Sequence, residues 1–239
     1  MKMDTRVFPD LDAVSRAALD EVLRALRDAI KDRGRFTIAL AGGRTPARMY
    51  ALWAAAEGST QWKHVHLFWG DERFVPRTDP LSNYRMAEKA FLFDAIPGPN
   101  VHPMPGPEDF PTSEEAAEAY EAELRKFFGS APPAFDVQLL GLGVEGHTAS
   151  LFPGSPALNE KKRWVMAVEA PAKPPQRLTL TPVVLNQARN TFFLVCGADK
   201  REIIAALRDE PASRPSQYPA GMIRPEGRVL WFLDKAAEG

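Results

Sequence analysis

A glycine-rich stretch with one histidine points most directly to chemistry. Residues 141–155 read GLGVEGHTASLFPGS, so the glycines form the pattern G-x-G-x-x-G and His147 follows the last of them. A dinucleotide-binding fingerprint needs a long helix after its last glycine. Here only the six residues HTASLF separate Gly146 from Pro153, which is too short for that helix. The pattern therefore predicts a turn that presents His147, whose imidazole suits general-base catalysis.

The neighbours of His147 refine this prediction. Glu145 is expected to orient the imidazole or to accept a substrate hydroxyl. A short helix is expected to begin at His147, and its positive dipole end would keep the imidazole neutral. Ser150 is too far along the chain from His147 to form an obvious nucleophile–base pair with it. The sequence also has no G-x-S-x-G nucleophile elbow. No His, Cys and carboxylate spacing indicates a metal site.

The stretch AGGRTPARM at 41–49 has the composition of a phosphate-binding turn. Gly42 and Gly43 let backbone N–H groups approach a ligand, and the N-terminus of the following helix offers unpaired donors. Thr45 is expected to cap that helix or to donate its hydroxyl, and Arg44 adds a cation. The Lys-Ser/Thr ending of a Walker loop is missing, so nothing indicates ATP. A plain strand-to-helix turn is the alternative.

Charged residues follow two further apolar runs. In WGDERFVP at 69–76, Arg73 is placed to clamp an anion and Asp71 to orient it. Lys200 is predicted in the first turn of a helix, where its charge opposes the helix dipole; such a placement favours a ligand nearby. Arg177 is a further candidate for anion binding. For each of them the alternative is a solvated charge at the end of a strand.

The elements that must position these residues alternate along the chain. Apolar residues at helical spacing predict helices at 11–33, 46–56, 82–93, 113–128 and 199–209. Short apolar runs predict strands at 35–41, 65–70, 135–141, 163–170, 190–197 and 227–234. Ser82 is expected to cap the third helix. Proline-rich loops are predicted at 97–111, 171–175 and 211–225.

This alternation predicts an α/β fold, an open, doubly wound, mostly parallel sheet with helices on both faces. Ligands of such sheets bind beyond the carboxyl ends of the strands. The four polar loops GGRTP, GDERFVP, GLGVEGHTAS and GADK each follow a predicted strand. We therefore expect them to meet at one rim of the sheet.

Composition bounds the class of protein. The 239 residues fit a single domain over 1–239, and the formal net charge of −1 gives no domain-wide positive field for nucleic acid. No apolar run approaches 18 residues and no leader pattern is evident, so a cytoplasmic protein without membrane contact is expected. The single cysteine, Cys196, rules out a disulfide within the chain and is expected to be a buried small hydrophobe.

Taken in order, these stretches resemble the 6-phosphogluconolactonases. The resemblance rests on LAGGRTP, GDERFVPRTDPLSNYRMAEKAFL, LLGLGVEGHTASLFPGS, RLTLTPVVLNQA and CGADKREII. The related glucosamine-6-phosphate deaminases share the GG-TP loop and a G-x-G-x-x-G-H segment, but TASLFPG after His147 sides with the lactonases. One departure is Glu145, where the family usually has aspartate.

The resemblance implies a carboxylic ester hydrolase that converts 6-phospho-D-glucono-1,5-lactone to 6-phosphogluconate in the pentose phosphate pathway. It also implies a Rossmann-like fold similar to that of the deaminases, with no metal and no organic cofactor. The expected partner is a small sugar phosphate, and the chain is expected to be a monomer or a weak dimer.

The residues and the resemblance together predict a site. The catalytic candidates are His147, Glu145, Arg73 and Lys200. The substrate-binding candidates are Gly42, Gly43, Arg44, Thr45, Asp71, Ser82, Asn83, Gly146 and Arg177. In this hypothesis His147 takes a proton from water. Which of Arg44, Arg73 and Lys200 binds the phosphate and which stabilises the oxyanion stays open. The rival hypotheses are an amino-sugar phosphate deaminase or isomerase and a non-catalytic sugar-phosphate-binding module.

Overall fold

The computed structural model of the protein describes residues 3–56, 60–91, 93–210 and 216–239. In chain order the strands are β1 (Thr5–Phe8), β2 (Phe36–Leu40), β3 (Val65–Trp69), β4 (Asp71–Arg73), β5 (Val101–His102), β6 (Val137–Leu140), β7 (Val165–Glu169), β8 (Gln176–Leu180), β9 (Asn190–Val195) and β10 (Arg228–Asp234). The helices are α1 (Leu11–Arg33), α2 (Arg44–Ala55), α3 (Asn83–Ala90), α4 (Ser113–Phe128), α5 (Pro182–Leu185), α6 (Arg201–Asp209), α7 (Pro219–Met222) and α8 (Lys235–Glu238).

Seven strands form one parallel sheet in the order β1-β10-β9-β6-β2-β3-β5. Every residue of β2 and β6 is buried, as expected for strands that are covered on both faces. The strand order changes direction between β2 and β6, and this is the switch point at which open α/β sheets bind ligands. The predicted α/β class and mostly parallel sheet are confirmed.

A second, antiparallel sheet of three strands lies beside the first, in the order β4-β8-β7. The predicted strand at 163–170 therefore exists as β7 but belongs to this small sheet. β8 was not predicted, and β4 was read as a loop. The chain enters this sheet at Gly70, directly after β3, so strand patterns alone do not reveal the change of partner. Helix α4 packs against β7 and β8.

Helix ends follow local capping chemistry. The Asp10 carboxylate accepts the Ala13 N–H at the start of α1, and Gly34 ends that helix at φ 71°. Ser82 caps α3 as predicted, accepting the Arg85 N–H at 3.1 Å, although α3 ends at Ala90 rather than 93.

One prediction about a helix cap and one about a loop are wrong. Gly43 occupies the N-cap position of α2, so Thr45 lies inside the helix and does not cap it. The predicted loop at 211–225 contains α7, and its residues 211–215 lie outside the described ranges. Within the part of the chain that the structure describes, no helix combines the length and the apolar character needed to cross a bilayer.

Candidate active site

A cavity of about 510 Å³ opens at the carboxyl ends of the central strands. Loops after β2, β3, β6 and β9 all contribute to its walls, so the prediction that four loops meet at one rim is confirmed. The predicted site residues that line it are Gly42, Gly43, Arg44, Thr45, Asp71, Arg73, Asn83, Glu145, His147, Arg177 and Lys200. Ser82 and Gly146 are not among the lining residues.

The loop after β2 leads directly into α2. Gly43 has φ 106°, a conformation that side chains strongly disfavour, and the helix begins at Arg44. The first N–H groups of a helix have no partner within it. A Cβ on Gly42 would overlap the side-chain oxygen of Asn83. This loop therefore offers backbone donors and one guanidinium to the cavity, and Asn83 packs against its base.

The loop after β6 does not lead into a helix. Residues 144–155 form turns with an isolated bridge between Thr148 and Leu151, so the predicted short helix at His147 is wrong, and the helix-dipole argument fails with it. Instead the loop closes on itself, because the Gly143 N–H donates to the His147 carbonyl at 2.9 Å. Phe152 packs on the imidazole with ring centroids 4.4 Å apart.

Gly143 provides the space in which the imidazole lies. A Cβ on this glycine would overlap Nδ1 of His147 and would lie 2.8 Å from Oε2 of Glu145. The second glycine of the G-x-G-x-x-G pattern is thus needed for the position of the histidine ring.

Glu145 stands beside the histidine, as predicted. Its Oε1 lies 3.0 Å from Nδ1 of His147, which is within ion-pair distance. Burial raises the pKa of Glu145, but its own backbone N–H, His147 and Lys200 outweigh burial and hold that pKa below its ordinary value. The carboxylate is therefore charged at neutral pH, and this negative charge lies beside the imidazole.

Two arginines face the cavity from the small sheet. Arg73 on β4 is directly opposite Arg177 on β8 in the antiparallel register. Burial and the charge of Arg73 lower the pKa of Arg177. Backbone carbonyls hold both guanidiniums, since Arg73 donates to Leu81 and Arg177 donates to Pro174. Two cations held side by side in a cavity wall form a favourable place for an anion.

Asp71 lines the cavity beside these arginines. Its carboxylate accepts the Ser150 hydroxyl at 2.7 Å and the Asn83 amide at a longer 3.4 Å. Ala149, the residue before Ser150, adopts a left-handed conformation with φ 47°. Sequence reasoning missed this role of Ser150, since the partners are far apart in the chain and no local pattern signals them.

Glu72 is a second residue that the sequence reasoning missed. It is buried, and its carboxylate accepts the backbone N–H groups of Arg73, Asn83 and Tyr84 together with the Ser82 hydroxyl. Burial raises the pKa of Glu72 to about 7, although these N–H bonds act in the opposite direction. Glu72 and Ser82 therefore lie behind the cavity wall and tie β4 to the start of α3.

Lys200 and Cys196 complete the wall at the end of β9. Lys200 ends a short 3-10 turn before α6 and forms an ion pair with Asp199 at 3.0 Å. Cys196 is only partly buried and lines the cavity, so the prediction of a buried small hydrophobe is wrong. Burial raises the pKa of this thiol to about 11, so it is uncharged at neutral pH.

Comparisons with known proteins agree with this arrangement. A family model described as glucosamine-6-phosphate isomerases/6-phosphogluconolactonase matches residues 9–231. The chain is 42% identical over 241 residues to a 6-phosphogluconolactonase of Nostoc, which covers 99% of this chain and 98% of the relative. A 6-phosphogluconolactonase of Mycobacterium tuberculosis is 38% identical, with 99% and 98% covered.

Solved structures give the same relationship. The 6-phosphogluconolactonase from Trypanosoma cruzi superposes with a TM-score of 0.88 at 29% identity, covering 99% of this chain and 96% of that one. The enzyme from Trypanosoma brucei gives 0.85 at 32% identity, with 99% and 97% covered. A monomeric glucosamine-6-phosphate deaminase shares the fold, with a TM-score of 0.78 at 21% identity. The chain therefore belongs to the glucosamine-6-phosphate isomerase/6-phosphogluconolactonase family.

Proposed function

We propose that this protein hydrolyses 6-phospho-D-glucono-1,5-lactone to 6-phosphogluconate, with His147 as the general base. The observation that carries the proposal is the placement of the His147–Glu145 pair in a cavity that is also lined by five cationic side chains. The similar full-length proteins named 6-phosphogluconolactonase support the same substrate class. This reaction is a step of the pentose phosphate pathway.

The loop after β2 receives the 6-phosphate. The unpaired N–H groups at the start of α2 and the positive end of its dipole attract a dianion, and Arg44 adds a full charge. Because Gly43 has no side chain, the phosphate can approach the backbone closely there. Thr45 lines the same wall and adds a hydroxyl donor for the phosphate.

The chemical step needs one base and one group that stabilises negative charge. His147 removes a proton from water as the water oxygen bonds to C1 of the lactone and the carbonyl electrons move to the carbonyl oxygen. The tetrahedral intermediate then collapses, the bond from C1 to the ring oxygen breaks, and the imidazolium returns its proton to that oxygen. Glu145 favours the imidazolium that exists between these two transfers.

Lys200 is the cation that we assign to the oxyanion. It lines the cavity at the end of β9, and its charge contributes to the lowered pKa of Glu145, the partner of His147; both observations support this assignment. Arg73 and Arg177 then bind the polar groups of the substrate from the part of the wall that the small sheet forms, where Asp71 and Asn83 accept and donate to its hydroxyls. Removal of one oxyanion donor costs about 3 kcal/mol of transition-state stabilisation.

The activity test is a coupled assay of freshly prepared lactone, corrected for spontaneous hydrolysis. We expect His147→Asn to lower kcat by about a thousandfold, within the range for loss of a general base, with KM nearly unchanged. A kcat within threefold of wild type would show that His147 is not the base. Release of ammonia from glucosamine 6-phosphate faster than lactone hydrolysis would replace the proposed activity by that of a deaminase.

Three further statements stay predictions: the chain acts as one domain over 1–239, it is a monomer with weak dimerisation at most, and it works in the cytoplasm. Light scattering after gel filtration measures the mass of the particle. A particle of twice the chain mass at micromolar concentration would contradict the monomer.

A further inference from the structure

A segment outside the cavity packs against the loop that carries His147. This segment, residues 216–221, precedes and begins α7. The Ala220 N–H donates to the carbonyl of Gly146 at 2.9 Å. Gly146 is the residue directly before His147, so this bond fixes the peptide from which the histidine extends.

The side chain of Tyr218 covers the same glycine. A Cβ on Gly146 would lie 2.7 Å from Cδ1 and 2.8 Å from Cβ of Tyr218, which shows how closely the tyrosine packs on its Cα. Gly146 also has φ 85°, a left-handed conformation that brings the chain round sharply before His147. The turn therefore requires glycine at position 146 because of its backbone conformation. The Tyr218 side chain packs against this turn and supports it.

The 216–221 segment is itself well fixed. The Ser216 hydroxyl accepts the Tyr218 N–H at 3.1 Å and donates to the Tyr218 carbonyl at 2.9 Å. Pro219 and Ala220 are buried, and the Gly221 N–H donates to Tyr218 at 2.9 Å. A segment closed in this way can act as a rigid support for another loop.

Tyr218 is not among the residues that line the cavity. We propose that Tyr218 is a positioning residue that holds the Gly146 turn and thereby sets the place of the His147 imidazole. The inference rests on the proposed function, because it takes His147 as the base. Small displacements of a reacting group are costly, and a shift of about 1 Å lowers rates up to a hundredfold.

The test compares Tyr218→Ala, Tyr218→Phe and the matched control Phe8→Ala. The contacts with Gly146 involve Cβ, Cγ and Cδ1 of the tyrosine, so phenylalanine keeps them and alanine loses the ring. Phe8 is a partly buried aromatic on β1 that stacks on Phe232, with centroids 6.2 Å apart, and it does not line the cavity. Steady-state lactone hydrolysis and thermal unfolding are measured for each variant.

We expect Tyr218→Ala to lower kcat by about tenfold to thirtyfold with KM within twofold of wild type. Tyr218→Phe keeps kcat within twofold, and Phe8→Ala lowers the unfolding temperature without changing kcat. A kcat of Tyr218→Ala within twofold of wild type overturns the inference. Equal losses in the alanine and phenylalanine variants, a loss in KM alone, or an equal loss of kcat in Phe8→Ala overturn it as well.

The two proposals fail in different ways. An inactive His147→Asn together with an unimpaired Tyr218→Ala removes only the role of Tyr218. A fully active His147→Asn removes the base and with it the reason for positioning that ring, whatever Tyr218→Ala does.

Discussion

The loops after β2 and β6 lie side by side at the switch point of the main sheet, and both are rich in glycine. After β2 the chain turns at Gly43 and enters a helix of 12 residues. After β6 it folds back on itself through the bond from Gly143 to the His147 carbonyl. The first loop presents backbone N–H groups, and the second presents side chains.

The two glycines are needed for different physical reasons. A Cβ on Gly43 would meet only Pro46, at 3.9 Å, but its φ of 106° is a conformation that other residues rarely adopt. Gly143 has no positive φ, but a Cβ there would overlap the ring of His147. In the binding loop glycine is thus needed for the backbone conformation at Gly43. In the catalytic loop it is needed because the His147 side chain occupies the space next to Gly143. Substitutions in the two loops are expected to separate KM from kcat.

The largest effect that tests this comparison is expected from Gly143→Ala. The new methyl displaces the His147 imidazole, and kcat falls by about a hundredfold, whereas KM changes less than threefold because the phosphate loop is untouched. Initial rates over a range of lactone concentrations measure both constants. Gly141→Ala is the matched control, since a Cβ there meets nothing within 4 Å, and it keeps wild-type kcat. A Gly143→Ala variant with normal kcat would contradict the assigned role of that glycine.

A smaller and opposite pattern is expected from Gly43→Ala. Alanine disfavours the φ of 106° at this position, so the loop rearranges. The N–H groups at the start of α2 then no longer point at the phosphate, and KM rises about tenfold. The value of kcat changes less than threefold, because the catalytic loop stays in place. Gly98→Ala provides a control at an open position, where a Cβ meets nothing within 4 Å. A loss confined to kcat would show that the two loops do not divide binding and catalysis as proposed.

The smallest effect is expected from Glu145→Asp, which introduces the residue usual in the family. Shortening the side chain by one C–C bond withdraws the carboxylate by about 1.5 Å from its 3.0 Å approach to His147. We expect kcat to fall about threefold, and Glu145→Gln, which keeps the length but loses the charge, to lower it about tenfold. An aspartate variant as active as wild type would show that this chain does not use the added reach of glutamate.

Much of the site was predictable because a parallel sheet brings the carboxyl ends of its strands together. Loops that are distant in sequence, such as those with Arg44, His147 and Lys200, had to meet once the strands were recognised. The resemblance to a known family added the substrate class. The helix predicted at His147 failed because the bridge from Thr148 to Leu151 and the bond to Gly143 compete with helical hydrogen bonds in so short a segment.

Other features depended on contacts between distant parts of the chain. Ser150 bonds to Asp71, and Tyr218 packs on Gly146. In the sequence Glu72 is one of three adjacent charged residues, and nothing distinguishes it from the other two. In the fold it is buried behind the cavity wall. No periodicity or spacing signals such pairs, because each partner is compatible with many local structures.

By itself the sequence determined the alternation of strands and helices, the glycines at the strand ends and the identity of the chemical groups. These follow from local propensity and from the burial of apolar runs, both of which act over a few residues. The tertiary structure decided which strands left the main sheet, which hydroxyl pairs with Asp71 and which residues support the loop of His147. Those outcomes depend on packing and hydrogen bonds between segments that only the complete fold brings within a few ångströms of each other.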